Sequence, residues 1–274
     1  MIRFSVIGFD SAWAGRKPGA VCAVRRDEKG GFEFISPILA SFDQALEFVR
    51  EEQGKCDICL VCLDQPTIVP NYEGARPVDR VAASLVSWLG GGVQPANRAR
   101  SGLFDDAAPI WQFIRRLGAI EDPNRARTAK TGLFLIEVFP ALALPTMVPD
   151  CNARKAALRY NPARKTFRLD DWGRVVDAVD TTGTDVRGLK EWCREYRQNG
   201  KPGKCHQDKL DAVICALIGI TWLTAPPVRS IMIGDLKRGY MVAPVSAEVR
   251  DHLMRAAACR RVPVDGLVPT ESSH

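Results

Sequence analysis

Apolar residues in the first part of the chain come in short bursts separated by polar turns. Phe4-Ser5-Val6-Ile7-Gly8-Phe9-Asp10 is a nearly continuous apolar run, as a strand buried on both faces requires. Ala20 to Arg26 and Phe32 to Leu39 repeat the burst, with the turn Asp27-Glu28-Lys29-Gly30-Gly31 between them. Three strands joined by short polar turns predict an antiparallel meander. The period then changes. Ser41 and Gln44 have capping-box spacing, and Ala45, Leu46, Phe48 and Val49 form a helical stripe that ends at Gly54. A fourth strand, Ile58 to Leu63, follows and ends at Asp64. The predicted order is strand, strand, strand, helix, strand.

Residues 65–131 break this rhythm and read as a helical insertion, with helices from Pro77 through Leu89 and from Ala107 to Leu117. Leu133 to Val138 predicts a fifth buried strand, ended by Pro140. Short helices are expected around Ala153–Tyr160, Asp171–Val179 and Val186–Arg197. His206 to Leu223 predicts a long helix, almost wholly apolar from Ala212 onward and therefore buried on most sides. A hairpin over Arg229–Val242 and a helix over Ala247–Ala258 complete a domain spanning residues 1–262, with 263–274 as a tail. The fold class expected is α/β, with a mixed sheet flanked by helices.

Composition narrows the class. A chain of 274 residues that is 46% hydrophobic can bury a large core. No apolar run reaches the ~18–20 residues of a membrane span. Met1 to Phe4 leads straight into the first strand without a signal peptide, so a cytoplasmic protein with reduced thiols is expected. Cys56-x-x-Cys59-x-x-Cys62 has the look of a metal motif, but strand alternation sends Cys59 and Cys62 to opposite faces, which favours core cysteines. The net charge of +6 suits a polyanionic partner without specifying one.

The candidate chemistry is carboxylate chemistry. Asp10 and Asp64 each end an apolar strand, and sites in open α/β sheets form at the carboxyl ends of strands. Glu137 lies near the end of a third such strand. Asp208 and Asp211, spaced i, i+3, share one side of the first turn of the buried helix. A buried cluster of acids repels itself unless a cation joins it, and Mg²⁺ or Mn²⁺ bound by Asp10, Asp64, Glu137 and Asp211 answers that need. Local alternatives stand beside each reading. Asp10 and Asp64 suit turns, Asp208 suits a helix N-cap, and Glu137 suits an ion pair with an arginine of the insertion. Trp13, Asp79, Arg80, Arg98 and His206 are candidate substrate contacts, and Arg100, Arg154, Arg164 and Lys165 are dispersed basic positions. Core packing, surface ion pairs and solvated faces are the plainer readings of these residues.

The strand order and the acids at Asp10, Asp64 and a late helix resemble the ribonuclease-H-like superfamily. Asp208-x-x-Asp211-Ala212 is similar to the last motif of its Holliday-junction resolvases. More closely, the chain resembles domain-of-unknown-function family 429, a group of predicted ribonuclease-H-like nucleases. The matching segments are Gly8-Phe9-Asp10-Ser11-Ala12-Trp13, Asp64-Gln65-Pro66, Arg76-Pro77-Val78-Asp79-Arg80, Ile136-Glu137-Val138-Phe139-Pro140 and Asp208-Lys209-Leu210-Asp211-Ala212. The resemblance implies a ribonuclease-H-like fold and a metal-dependent phosphodiesterase acting on nucleic acid, DNA or RNA, by a two-metal mechanism with Asp10, Asp64, Asp208 and Asp211 in catalysis. Ribonucleases proper carry a glutamate on the first helix. Glu47, Glu51 and Glu52 are available here but not marked out, so Asp64 is preferred as the second ligand. Two other classes remain open: an actin-like phosphotransferase or ATPase, read from Gly8-x-Asp10-Ser11, and a non-catalytic nucleic-acid-binding protein. The sequence leaves oligomeric state undetermined.

Overall fold

The computed structural model describes residues 2–15, 17–89, 91–148, 151 and 158–267. Its centre is a six-stranded mixed sheet. Strands β1 (Phe4–Asp10), β2 (Gly19–Arg26) and β3 (Phe32–Ala40) form the antiparallel meander, and β4 (Ile58–Asp64) and β5 (Gly132–Glu137) add parallel strands on the other side of β1. The spatial order is β5-β4-β1-β2-β3-β6. This is the ribonuclease-H-like arrangement, with β1 at the centre. The sixth strand, β6 (Val186–Arg187), pairs with β3 over two residues and falls where a helix start is expected.

The sheet separates two cores, and pleat alternation decides which residue enters which. On β1, Phe4 and Val6 enter the first core, whereas Ile7 and Phe9 enter the second. Cys62 and Cys59 divide in the same way, three positions apart on one strand. The second core is closed by α1 (Phe42–Gln53), whose Ser41 cap and Gln44 partner make the expected capping box, and by α3 (Pro109–Leu117). The insertion over 65–131 is therefore split. Its helix α2 (Pro77–Val86) packs on the first core, and α3 on the second.

The first core is organised by α8 (Lys204–Thr224), a helix buried at every position from Leu210 to Gly219. It rests directly on the sheet because two glycines remove side chains from the contact. A Cβ on Gly8 would lie 1.9 Å from the Ala212 carbonyl oxygen, and one on Gly219 would lie 2.3 Å from Cys62 Sγ. Both distances are well inside van der Waals contact, so the seat of α8 on β1 requires glycine at these points. Gly8 lies two residues before Asp10 and Ala212 follows Asp211, so this seat brings Asp211 to the end of the sheet where β1 and β4 finish.

Three helices differ from expectation. Pro123–Thr128 (α4) and Pro140–Met147 (α5) are short, proline-initiated helices without the apolar period that marks longer ones, and Leu189–Gln198 (α7) starts after β6. The helix α6 (Leu169–Thr182) exceeds its expected span at both ends. Of the helix expected at Ala153–Tyr160, residues 153–157 lie outside the described residues, and Leu158 to Tyr160 are not helical. The hairpin β7 (Ser230–Asp235) and β8 (Gly239–Pro244) touches the β5 side of the sheet through Val138 and Val242, and α9 (Ala247–Ala258) packs on α2. Residues 263–267, read as tail, are stitched to the hairpin. Gly234 N–H donates to the Pro263 carbonyl, and Asp265 pairs with Arg250. Residues 268–274 lie outside the described residues. No helix among the described residues is long and apolar enough to cross a membrane.

Candidate active site

The parallel register of β1 and β4 pairs Asp10 directly with Asp64. Paired residues on adjacent strands stand about 4.8 Å apart along the hydrogen-bonding direction and point to the same face. Asp211, on the helix covering that face, completes the group. Asp10 and Asp211 are buried, and Asp64 is half-buried. Burial, followed by repulsion from Asp64 and Asp211, raises the Asp10 carboxyl well above the ordinary carboxylate range. Burial, then Asp211 and Glu137, does the same to Asp64, against the opposing pull of the Lys204 ammonium. These carboxylates sit in a field that disfavours their charge.

Asp211 is the best supported of the three. Tyr160 Oη donates to its Oδ1 at 2.8 Å, and Gln207 Nε2 donates to its Oδ2 at 2.9 Å. Burial raises it to about 6, against the opposing pull of these hydrogen bonds and of Lys204. Asp208, one turn earlier, forms an i, i+4 ion pair with Lys204, and its charge adds to the repulsion on Asp10 and Asp211. Burial would lower the Lys204 ammonium, but Asp10, Asp208 and Asp211 outweigh it and hold it above its usual value. Two buried amide atoms beside the acids have no partner among the described residues: Gln65 Nε2, next to Asp64, and Gln207 Oε1, on the residue that holds Asp211. The Ser11 hydroxyl donates to Gln65 Oε1, which ties the loop after β1 to the loop after β4.

Glu137 does not join the set. The register pairs it with Leu63 rather than Asp64, so the pleat offsets it from the Asp10–Asp64 row. Its carboxylate is taken by Arg76, whose Nη2 lies 2.6 Å from Oε1 and whose Nη1 lies 2.9 Å from Oε2, and Thr67 N–H donates to Oε2 at 2.9 Å. Burial still raises Glu137 to about 7. Asp79, expected near substrate, is the other partner of Arg76, at 2.8 Å, and it also accepts the backbone N–H groups of Arg76 and Ala96. Its position is a buried structural ion pair that starts α2. The four-acid metal set expected from the sequence is thus not assembled. Among the described residues, no three His, Cys, Asp or Glu stand where one ion could be held. Asp10 and Asp64 form a pair, Asp211 is turned to Tyr160 and Gln207, and Glu137 is bound to Arg76.

The remaining candidates scatter. Trp13 holds a left-handed backbone, φ +40°, in the turn closed by the Gly15 N–H and the Ala12 carbonyl, a conformation costing a bulky residue about 1–2 kcal/mol. Its ring meets Phe104 edge-on in the small core of the insertion. Arg80 is exposed. Arg98 pairs with Asp106 and lies over the Trp111 ring. His206 Nδ1 accepts the Gly203 N–H, so it caps α8 rather than facing the acids. Arg164 and Lys165 are exposed, and Arg154 lies outside the described residues. On α1, Glu52 is tied to Arg25, Lys55 and Ser5, near the start of β1 and so at the opposite end of that strand from Asp10, while Glu47 and Glu51 are exposed. A cavity of about 200 Å³ opens beside Asp64, between Trp13, Phe139 and Met241. A larger one, about 520 Å³, lies between the loop after β1 and the starts of α1 and α3, and contains none of the clustered acids.

Sequence reasoning gave no role to Arg76 and Gln65, though both stand in the segments that carry the family resemblance, and did not single out Tyr160, Gln207 and Lys204. Lys204 had a local signal, since it stands one turn before Asp208. Tyr160 had none, because it meets Asp211 across 51 positions that include two further helices, and no local period encodes that contact.

No curated protein and no solved structure matches the chain. Residues 8–226, which run from β1 through α8 and include Asp10, Asp64, Glu137, Asp208 and Asp211, match the family described as Protein of unknown function (DUF429), and the chain belongs to that family.

Proposed function

We propose that this protein is a metal-dependent nuclease that hydrolyses phosphodiester bonds in DNA or RNA with Mg²⁺ or Mn²⁺. The observation that carries this reading is the pairing of Asp10 with Asp64 at the ends of two central parallel strands, with Asp211 brought over them by α8. Two carboxylates fit the ion. Mg²⁺ prefers hard oxygen donors and is usually held by one or two carboxylates, with waters and substrate phosphate completing its shell. Asp10 and Asp64 would be those donors, two carboxylates paired in register on adjacent strands. The unpartnered Gln65 and Gln207 amide atoms flank the same place, as groups awaiting a ligand do. When bound, the ion supplies a more acidic water and neutralises charge on the phosphate.

The chain's own residues divide the remaining work. Asp211, oriented by Tyr160 and Gln207 and titrating near 6, can take a proton from water at a pH close to neutral. Lys204, steadied by Asp208, offers a positive charge to a phosphate oxygen. Gln65 Nε2 is a free donor for the same group. The net charge of +6 favours a polyanionic substrate. The nine cysteines are free thiols, which suits a reducing compartment such as the cytoplasm.

The test is cleavage of labelled single-stranded, duplex, branched and RNA–DNA hybrid substrates with Mg²⁺ or Mn²⁺. Asp10→Asn and Asp211→Asn should each lose at least about a thousandfold in rate, equivalent to ~4 kcal/mol of transition-state stabilisation. Cleavage by the variants equal to wild type would remove the site. Metal-dependent ATP hydrolysis without cleavage would favour a phosphotransferase.

A further inference from the structure

The cavity beside Asp64 has a shape and lining that the acid cluster does not explain. Asp64 stands at its inner end, Trp13, Phe139 and Met241 form its sides, and Val93 and Gln94 lie at its rim. At about 200 Å³ it is below the ~300–1,000 Å³ usual for pockets that hold drug-sized ligands, so it suits a single small ring system. The aromatic side is held in place at a cost. Trp13 keeps a positive φ that a bulky side chain rarely adopts, and its ring is fixed by an edge contact with Phe104, 5.8 Å between centroids, which leaves a ring face unstacked by that contact. Strained residues that survive at the edge of a site commonly have a part in it. At the rim Gln94 is exposed and brings an amide that can donate and accept, while Val93 beside it is half-buried against the first core.

We propose that this cavity receives one unpaired nucleobase of the substrate strand, stacked on Trp13, with the backbone of that strand led past Asp64. The proposal rests on the nuclease reading for its substrate and extends it. The enzyme would act where a base is free of its helix, in a single strand, a bulge or a junction, and not within a fully paired duplex. Every base has a π-face, so stacking on an indole is tolerant of sequence, and selection would fall on pairing state. Bases that are already unpaired avoid the unstacking cost that a duplex imposes.

The pocket can be tested without catalysis. In a ¹⁵N-labelled protein, the indole N–H signal of Trp13 is identified by its loss in Trp13→Phe. Titration with adenosine and thymidine in metal-free buffer should move that signal saturably, and ribose should not. Val93→Trp, which fills the rim and leaves the acids untouched, should abolish the shift while the other indole signals stay in place. No saturable shift with either nucleoside, or an equal shift with ribose, overturns the pocket whatever the cleavage assay gives. In that assay, a duplex with one unpaired base should be cut at least tenfold faster than its fully paired counterpart, and Val93→Trp should erase the difference. Equal rates on the two substrates by the wild-type protein overturn the proposal while leaving a nuclease in place. Absence of all cleavage with the nucleoside shift present would instead sink the nuclease reading and keep the pocket.

Discussion

Two groups of buried charge lie a few residues apart at the same end of the sheet, and they are built on opposite principles. In one, Arg76 is fully enclosed and divides its guanidinium between Asp79 and Glu137, each at hydrogen-bond distance. Burial would lower the Arg76 pKa, yet its two carboxylates more than offset this and raise it. In the other, Asp10, Asp64 and Asp211 face one another with Lys204 as the opposing cation, and all three carboxyls are pushed up. The first group is closed: a fully buried cation lies between its two carboxylates. The second sets three acids against the ammonium of Lys204, which is itself paired with Asp208. Among buried charges, then, a perturbed proton affinity by itself does not mark a site. What separates the two is how fully the described residues balance the charge.

This contrast can be broken by substitution. Arg76→Met should be the costliest change, about 3–5 kcal/mol, because it leaves Asp79 and Glu137 buried without their cation. Urea unfolding measures it, and a loss under ~1 kcal/mol would mean that the closed group is not what it looks like. Next in size is the effect of pH. Glu137 and Asp211 bind protons more tightly folded, at about 7 and about 6, than unfolded carboxyls do at about 4. Between those limits the native state holds more protons than the unfolded chain, so stability must fall as pH rises from about 4.5 to 7, and the loss is complete above about 7. Unfolding free energies from pH 5 to 8 should decline by a few kcal/mol in metal-free buffer, and a rise over that range would contradict the assignment. The smallest effect has the opposite sign. Asp64→Asn relieves like-charge repulsion and should stabilise the metal-free protein by about 1 kcal/mol at pH 7.5. Added Mg²⁺ should raise the melting temperature of the wild type and not of this variant.

The three-acid group was largely legible in the sequence, and the closed one was not, for a physical reason. Asp10 and Asp64 end apolar runs on strands that must be neighbours in a β-β-β-α-β unit, so their meeting follows from pattern alone. Asp211 follows from the i, i+3 pair opening a helix too apolar to lie anywhere but on the sheet. The Arg76–Glu137 contact spans 61 positions and depends on how the insertion folds back, which no local period encodes. Glu137 was read as a metal ligand because it lies near a strand's end, with an ion pair to an arginine of the insertion as the alternative; the alternative holds, with Arg76, because register, set by whole-strand pairing, moved Glu137 one step out of the row. For Asp79 and His206 the plainer alternatives describe what is found, an ion pair with Arg76 and a place at a helix start. Sequence alone did not choose between these and a substrate contact, because a side-chain cap looks in sequence like any other polar residue. Lys204 was hidden by placing the start of α8 two residues late.

The seating of α8 on Gly8 and Gly219 fixes the separation of helix and sheet by two absent methyl groups rather than by the length of any connection. Loop closure costs rise only slowly with length. The exposed turns between Asp64 and Lys204 can therefore change length with little effect on where α8 meets the Asp10–Asp64 pair, whereas β5 and the Arg76 group within that stretch cannot be exchanged so freely. An alanine at Gly8 or Gly219 would push α8 off the sheet and carry Asp211 away from the pair.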